Sequence, residues 1–434
     1  MAGSAHLRMA DPAPCNAAST EQRRRFERAR WEAFALTWVV YFACYLTRRD
    51  FDGAKPGMMA SGDYTKAQVA TLDTIFLGSY AAGHFVAGPV GDWLGARRVV
   101  LVAMATSVAA NVAFGLLHPM PALAAAIALN GLAQAFGYPQ CCKIIAAWFS
   151  PSTRGRASSW FLTSYTLGDI AAKALAGTMV NHAGWRWAFF APAGIVTGLL
   201  ALLVLRLRAR PEEAGLTLAA YSEVEPDPLP AVRERFGAAM LALLARPAVW
   251  LICLGYFLLK LGRYTFLGWS NVFLFEQLGY GAGDATLATI PITVGGLGGT
   301  LAAGYVSDRA FGGRRAPVAV ICLGSLAVLT LAYAQLPAGA PARAMALHLA
   351  IGFFLFAADT IMSMATAMDL GGDRGAASAA GLINGVGSVG ATLSPLLGAT
   401  VSTRLGWVNA WYCLASLMGL GALVMLPRWR ARGR

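Results

Sequence analysis

Arg48 and Arg49 close the apolar run "YFACYLTRRDF" at residues 41–51, and Arg263 lies inside "YFLLKLGRYTFLGWSNVFLF". A guanidinium in hydrocarbon costs roughly 3 kcal/mol or more unless it meets water or a partner. Two planar guanidinium forks facing one wet cavity would suit a bidentate oxyanion such as phosphate. The competing reading is that the arginines snorkel to an interface or brace the helices.

The spacing repeats. Tyr41, Tyr45 and Arg48 take the same i, i+4, i+7 positions as Tyr256, Lys260 and Arg263, one face of a helix, at an offset of 215 residues. "GPVGDWLGARR" and "GYVSDRAFGGRR" also match, pairing Asp92 with Asp308 at an offset of 216. Two matches at nearly one offset argue for two six-helix halves of common architecture, which places a site at their interface near the bilayer midplane. Arg48 is about 16 residues, or about 24 Å, into its span and could snorkel. Arg263 is followed by "YTFLGWSNVFLF" and cannot easily do so. If the halves are equivalent, both line one central cavity.

Other candidates surround this pair. Arg49, Lys260 and Lys143 would raise the cavity potential, although Lys143 is close enough to a helix end to snorkel. Tyr41, Tyr45, Tyr80 and His84 could supply hydrogen bonds, with interface anchoring or polar packing as the alternatives. Asp92, Arg97 and Arg98, with Asp308, Arg314 and Arg315, sit on equivalent turns; they read as a gate on one side of the membrane, or as capped basic turns. Asp169 and Lys173 read as a self-neutralising i, i+4 pair. Asp359, with no local cation, must be protonated, wetted, or paired with Lys260 or Arg263, which makes it a candidate for proton coupling.

These residues need helices to hold them in lipid. The chain is 57% hydrophobic and 13% charged, with 48 glycines and a mean hydropathy of +0.54. Soluble domains are about 25% charged, so this is a membrane protein. Apolar stretches long enough to span fall near 32–51, 68–92, 98–118, 121–148, 157–181, 186–206, 247–275, 284–308, 317–337, 343–368, 376–402 and 407–427. The polar segment 207–246 divides six from six. Tails 1–30 and 428–434, this loop and the turns at Arg97–Arg98, Arg154–Arg156, Arg309–Arg315 and Arg374 carry most of the basic residues, whereas only Lys55, Lys66, Arg186, Arg343 and Arg404 fall on the other side. The bias puts both termini in the cytoplasm. Seven cysteines show no metal spacing, no Walker-type loop is present, and no cofactor, metal or nucleic-acid partner is expected.

"RWEAFALTWVVYFACYLTRRDF", "GSYAAGHFVAGPVGD", "GLAQAFGYPQCCKIIAAWFS" and "GRYTFLGWSNVFL" resemble the organophosphate:phosphate antiporters of the major facilitator superfamily. The resemblance runs from about residue 30 to 427. It implies an all-α fold of twelve transmembrane helices in two pseudo-symmetric bundles. By position, Arg48 and Arg263 match the paired substrate-phosphate arginines, Arg49 matches a position usually lysine, and Tyr41, Tyr45 and Tyr80 match cavity tyrosines. His84 stands where a glycerol-phosphate antiporter has a lysine. The pattern departs at Ser164 or Tyr165, where a histidine is missing, and at Thr293 and Gly268, each in place of an acid. Ala358-Asp359 replaces a Gly-Pro pair. The phosphate clamp is kept while the pocket for the organic moiety is altered.

The expectation is therefore a monomeric secondary transporter of the inner membrane, not an enzyme. It would move a sugar or glycerol phosphate against inorganic phosphate by rocker-switch alternating access. A transporter-like receptor for a sugar phosphate, or a proton-coupled carrier of another organic anion, are the alternatives.

Overall fold

The computed structural model describes residues 20–216, 245 and 247–430, with side chains throughout these except 151, 152, 248 and 364–381. Expectations for most of the N-terminal tail, for residues 217–244 and 246 of the central loop, for the Arg374 side chain and for Arg432 and Arg434 lie outside the described residues. Among the described residues the chain is helical, with no strand. The first span is two helices in tandem, Thr20–Leu46 and Asp50–Ala60. Spans two to six are Lys66–Leu94, Ala96–Leu116, Met120–Trp148, the pair Pro151–Phe161 and Thr163–Ala183, and Trp187–Arg206. Spans seven to ten are Pro247–Leu278, Ala282–Phe311, Arg315–Ala334 and Pro341–Ser363.

The final apolar stretch, Leu382–Arg428, is 47 residues long. At 1.5 Å per residue it would measure about 70 Å, over twice the ~30 Å hydrocarbon core. Gly406 divides it: a φ of 81° is left-handed backbone that glycine adopts without cost, and spans eleven and twelve lie on either side. Eight stretches are apolar enough to cross a membrane by length and composition. Counting the divided one twice, the three spans left over are the first, second and fifth, which carry polar residues of the site described below.

Spans eight and ten pack backbone to backbone. A Cβ added to Gly299 would lie 1.9 Å from the Phe353 carbonyl oxygen, and one on Gly352 would lie 2.0 Å from that of Ile292. Close approach through small residues is how helices associate in lipid.

The halves interlock on the side opposite the basic turns. Lys66 pairs with Glu276, and Asn181 donates to Asp284 (2.8 Å) and accepts from the Gly283 N–H (3.0 Å). Deeper in, Thr286 donates to the Gly53 carbonyl at 2.9 Å and Lys55 reaches the Gly268 carbonyl at 3.3 Å. Near the basic face the conspicuous charges instead pair within their own halves: Asp92 with Lys143 and Asp308 with Arg315, each at 2.7 Å. His84 and Tyr138, below this seal, are exposed. The space between the halves thus opens toward the basic face.

Gly299→Val is expected to force spans eight and ten apart, at a cost of about 1–3 kcal/mol for overpacking. Thermal unfolding in detergent should show a melting temperature several degrees lower; an unchanged melt would mean the contact is not tight.

Candidate functional site

Between Leu46 and Asp50 the first span stops being helical. The N–H groups of Arg48 and Arg49 both turn back on the Tyr45 carbonyl, at 3.3 and 3.1 Å. A break of this kind frees backbone groups that must find partners in lipid. Here the Thr47 carbonyl accepts Asn111 Nδ2 at 3.2 Å and Asn130 Nδ2 at 2.9 Å. Ser107 donates toward Thr47 Oγ1 at 3.0 Å, and Gln134 Nε2 reaches the Thr47 and Ser107 hydroxyls at 3.1 and 2.9 Å. All five side chains are buried. They form a polar plug from spans three and four behind the break, and it aims Arg48 and Arg49 toward the other half. Isolated Ser, Asn and Gln residues in apolar runs were the only trace of it in the sequence.

The helix resumes at Asp50 and contains Pro56. Proline has no N–H for the carbonyl four residues back, which is that of Asp52. Asn271 on the seventh span takes that carbonyl at 2.6 Å, so the gap in the ladder becomes a bond between halves. Lys55, expected in an outer loop, is instead fully buried between Asp52 (2.7 Å) and Asp73 (2.6 Å). Burial is tolerable because both charges around it are opposite in sign.

Arg49 is likewise satisfied within its own half. Its guanidinium lies 2.7 Å from Asp52 and 3.1 Å from Asp169. Asp169 pairs with Lys173 at 2.8 Å, as expected, but it also accepts a bond from the Thr293 hydroxyl, which Lys173 approaches at 3.0 Å. Gly268 and Thr293, the positions where the resemblance led one to expect acids, therefore face N-terminal carboxylates. A Cβ on Gly268 would sit 3.3 Å from Lys55 Nζ and 3.5 Å from Asp73 Oδ2. The charge missing from one half is supplied by the other.

Arg48 differs. Its Nη1 donates to the Tyr80 hydroxyl at 3.0 Å, and its guanidinium lies over the Tyr80 ring at 4.1 Å and near the Tyr45 ring at 5.4 Å. Lys260 stands beside the Tyr256 and Tyr264 rings at 5.3 and 5.6 Å. Among the described residues, neither has a carboxylate within ion-pair distance. Arg263 pairs with Asp359, which also accepts the Tyr256 hydroxyl at 3.0 Å, and its guanidinium stacks over Phe356 at 4.3 Å. Tyr264 lies within electrostatic reach of Lys260, Arg263, Arg48 and Arg49, cations of both halves. At the sealed end a void of about 20 Å³, room for a water or two, is bordered by Arg48, Arg49, Asp52, Asp73 and Tyr264.

Not every expected site residue gathers here. Tyr41 is buried, stacked 5.1 Å from Phe161 and edge-on to Tyr45, so it backs the wall. His84 packs edge-on to Tyr80 at 4.3 Å and points its Nδ1 at the Tyr80 carbonyl. Lys143 belongs to the basic turn, bound to Asp92 and to the Gly88 carbonyl at 2.7 Å. Arg97 caps the Val204 carbonyl at 2.7 Å, Arg98 edges an apolar groove with Val90 and Leu94, and Arg314 Nε donates to the Phe311 carbonyl at 3.0 Å. The two turns are alike in sequence but hold their aspartates with different cations.

The sequence profile described as Major Facilitator Superfamily matches residues 37–395. The chain belongs to that superfamily. It is 28% identical over 410 residues to the membrane sensor protein UhpC of Salmonella typhimurium, covering 93% of this chain and 92% of that protein. It is 26% identical to a probable hexose phosphate transport protein of Chlamydia pneumoniae, covering 94% and 93%. In fold it resembles the inward-facing, unoccupied structure of a bacterial homolog to the human lysosomal transporter Spinster, with a TM-score of 0.73 at 15% identity over 92% of this chain and 95% of that one. It is an all-α, multi-pass membrane protein related to transporters rather than to enzymes, as the motifs in its first, second, fourth and seventh spans implied.

Asn130→Leu leaves the Thr47 carbonyl one donor short and removes the Oδ1 that Ser107 meets at 2.6 Å. A cost of about 1–3 kcal/mol should appear as a lower melting temperature in detergent, larger when combined with Asn111→Leu. Equal melting of all variants would show that the break needs no plug.

Proposed function

We propose that the protein carries a phosphorylated organic anion of the sugar phosphate or glycerol phosphate class across the inner membrane, in exchange for inorganic phosphate. The observation that supports this best is the state of the cations. Arg49, Lys55 and Lys173 are neutralised by carboxylates of their own half, while Arg48 and Lys260, one from each half, have none among the described residues. Two unneutralised cations across a cavity favour a phosphate-type oxyanion, and the fork of Arg48 suits its paired oxygens. Arg263 completes the ring, with its charge shared with Asp359. The names of relatives, a hexose phosphate transport protein among them, point to the same substrate class.

In the mechanism, anion binding draws the two cations together over Tyr264 and offsets their repulsion. The loaded halves can then rock to close the basic side, where Asp92 and Asp308 stand ready on equivalent turns. The seal opposite separates the Lys66–Glu276 pair and the Asn181–Asp284 bond at its outer edge and, deeper in, hydrogen bonds that involve the Gly268, Asp52 and Gly53 carbonyls and the Thr293 hydroxyl. With the basic turns cytoplasmic, the cavity faces the cytoplasm. A monomer suffices for this cycle.

A sensor reading is favoured by one observation, the name of the Salmonella relative. Counterflow separates the two. Phosphate-loaded proteoliposomes given labelled glucose 6-phosphate or glycerol 3-phosphate should accumulate at least one of them. Arg48→Lys and Arg263→Lys should each lower uptake about tenfold to a hundredfold, the worth of one charge-assisted bond. Binding without flux would indicate a sensor, and wild-type uptake by both variants would refute the clamp.

A further inference from the structure

Among the described residues, Asp359 is the carboxylate of the C-terminal half that meets the cation ring. It lies at the end of the tenth span, immediately before a π-helical turn, Ile361–Ala365. Such turns frequently sit at functional sites. Its Oδ2 meets Arg263 Nη1 and its Oδ1 accepts the Tyr256 hydroxyl. That hydroxyl is also 3.2 Å from Asn384 on the eleventh span. Lys260 is within electrostatic reach from the seventh span, and Tyr264 faces Tyr256 and Arg263 from the same helix. The carboxylate keeps 21% of its side-chain surface exposed and Arg263 keeps 14%, so both can be reached from the cavity. Nε of Arg263 has no hydrogen-bond partner among the described residues. That Nε is buried, so what Asp359 leaves for an anion is the part of the Arg263 side chain that stays exposed.

An oxyanion bound to that guanidinium must lie beside a carboxylate. A carboxylate has lone pairs only, so an oxygen bearing no proton meets it with repulsion, while an oxygen bearing one meets it with a short, charge-assisted bond. We propose that Asp359 is a specificity-determining residue. Its carboxylate accepts a hydrogen bond from a protonated oxygen of the bound phosphate, so the site takes inorganic phosphate, takes phosphate monoesters in their singly charged, protonated form, and turns away sulfate and sulfate esters, which carry no such proton at neutral pH. This rests on the phosphate reading of the cavity. It extends it from charge, which sulfate shares with phosphate, to proton content, which it does not. Rejection arises from an unpaired repulsive contact, the usual route to discrimination between near-isosteres.

Binding is the appropriate readout, because it does not depend on whether the protein transports or senses. Purified protein in detergent at pH 7 is titrated with inorganic phosphate, arsenate and sulfate, and ligand-induced thermal stabilisation is followed. The wild type should respond to phosphate and to arsenate, a protonatable isostere, with sulfate roughly a hundredfold weaker, the scale of one stranded charged contact. Asp359→Asn, whose amide can donate, should bind sulfate within about tenfold of phosphate, and Asp359→Glu should reject it again. Sulfate binding the wild type as well as arsenate does would overturn the proposal even if no variant folds. So would unchanged rejection by Asp359→Asn. Failure of all three anions to stabilise any form would instead refute the phosphate reading itself.

Discussion

A charge held inside a lipid-spanning bundle must have an opposite charge, a ring face or water beside it, and the fold is arranged around that requirement. Arg49, Lys55 and Lys173 meet it through Asp52, Asp73 and Asp169, all from the N-terminal half. Arg263 meets it through Asp359. Arg48 and Lys260 have tyrosine rings beside them and, among the described residues, no carboxylate within ion-pair distance. Among the described residues, the cations of this site left without a paired carboxylate are thus these two.

Holding Arg48 in place depends on a helix that is twice interrupted. The turn at Thr47 swings two arginines out of register, and Pro56 leaves a second carbonyl unbonded. One gap is filled from behind by Asn111 and Asn130, the other from across the interface by Asn271. The same span therefore positions the binding groups and fastens the closed side. With the deeper ion pairs kept inside one half, Lys66–Glu276 being the pair that crosses further out, the contacts between halves in this layer are hydrogen bonds with one neutral partner, easier to part during rocking than buried salt bridges.

Much of this was legible in the chain. Length and apolarity placed the spans, with the turn at Gly406 falling between the last two as expected. The doubled Tyr–x3–Tyr/Lys–x2–Arg pattern brought Arg48, Lys260 and Arg263 forward, and of the options left open for the isolated acid at 359, protonation, water or a cation, the structure shows pairing with Arg263. What stayed hidden was tertiary. No glycine or proline lies between Leu46 and Asp50 to announce the break. Lys55 looked like a loop residue because its partner Asp73 sits on another helix. Lys143 looked like a cavity cation because its partnership with Asp92 depends on how spans two and four cross. Tyr41 sits on the right face, yet Phe161 of the fifth span covers it.

Cryo-electron microscopy of the protein in lipid nanodiscs with saturating inorganic phosphate tests the central claim most directly. The account predicts tetrahedral density within hydrogen-bonding reach of Arg48 on one side and of Lys260 or Arg263 on the other, above the Tyr264 hydroxyl. An empty junction with Arg48 still resting on Tyr80, and phosphate bound only at the basic turns, would contradict it.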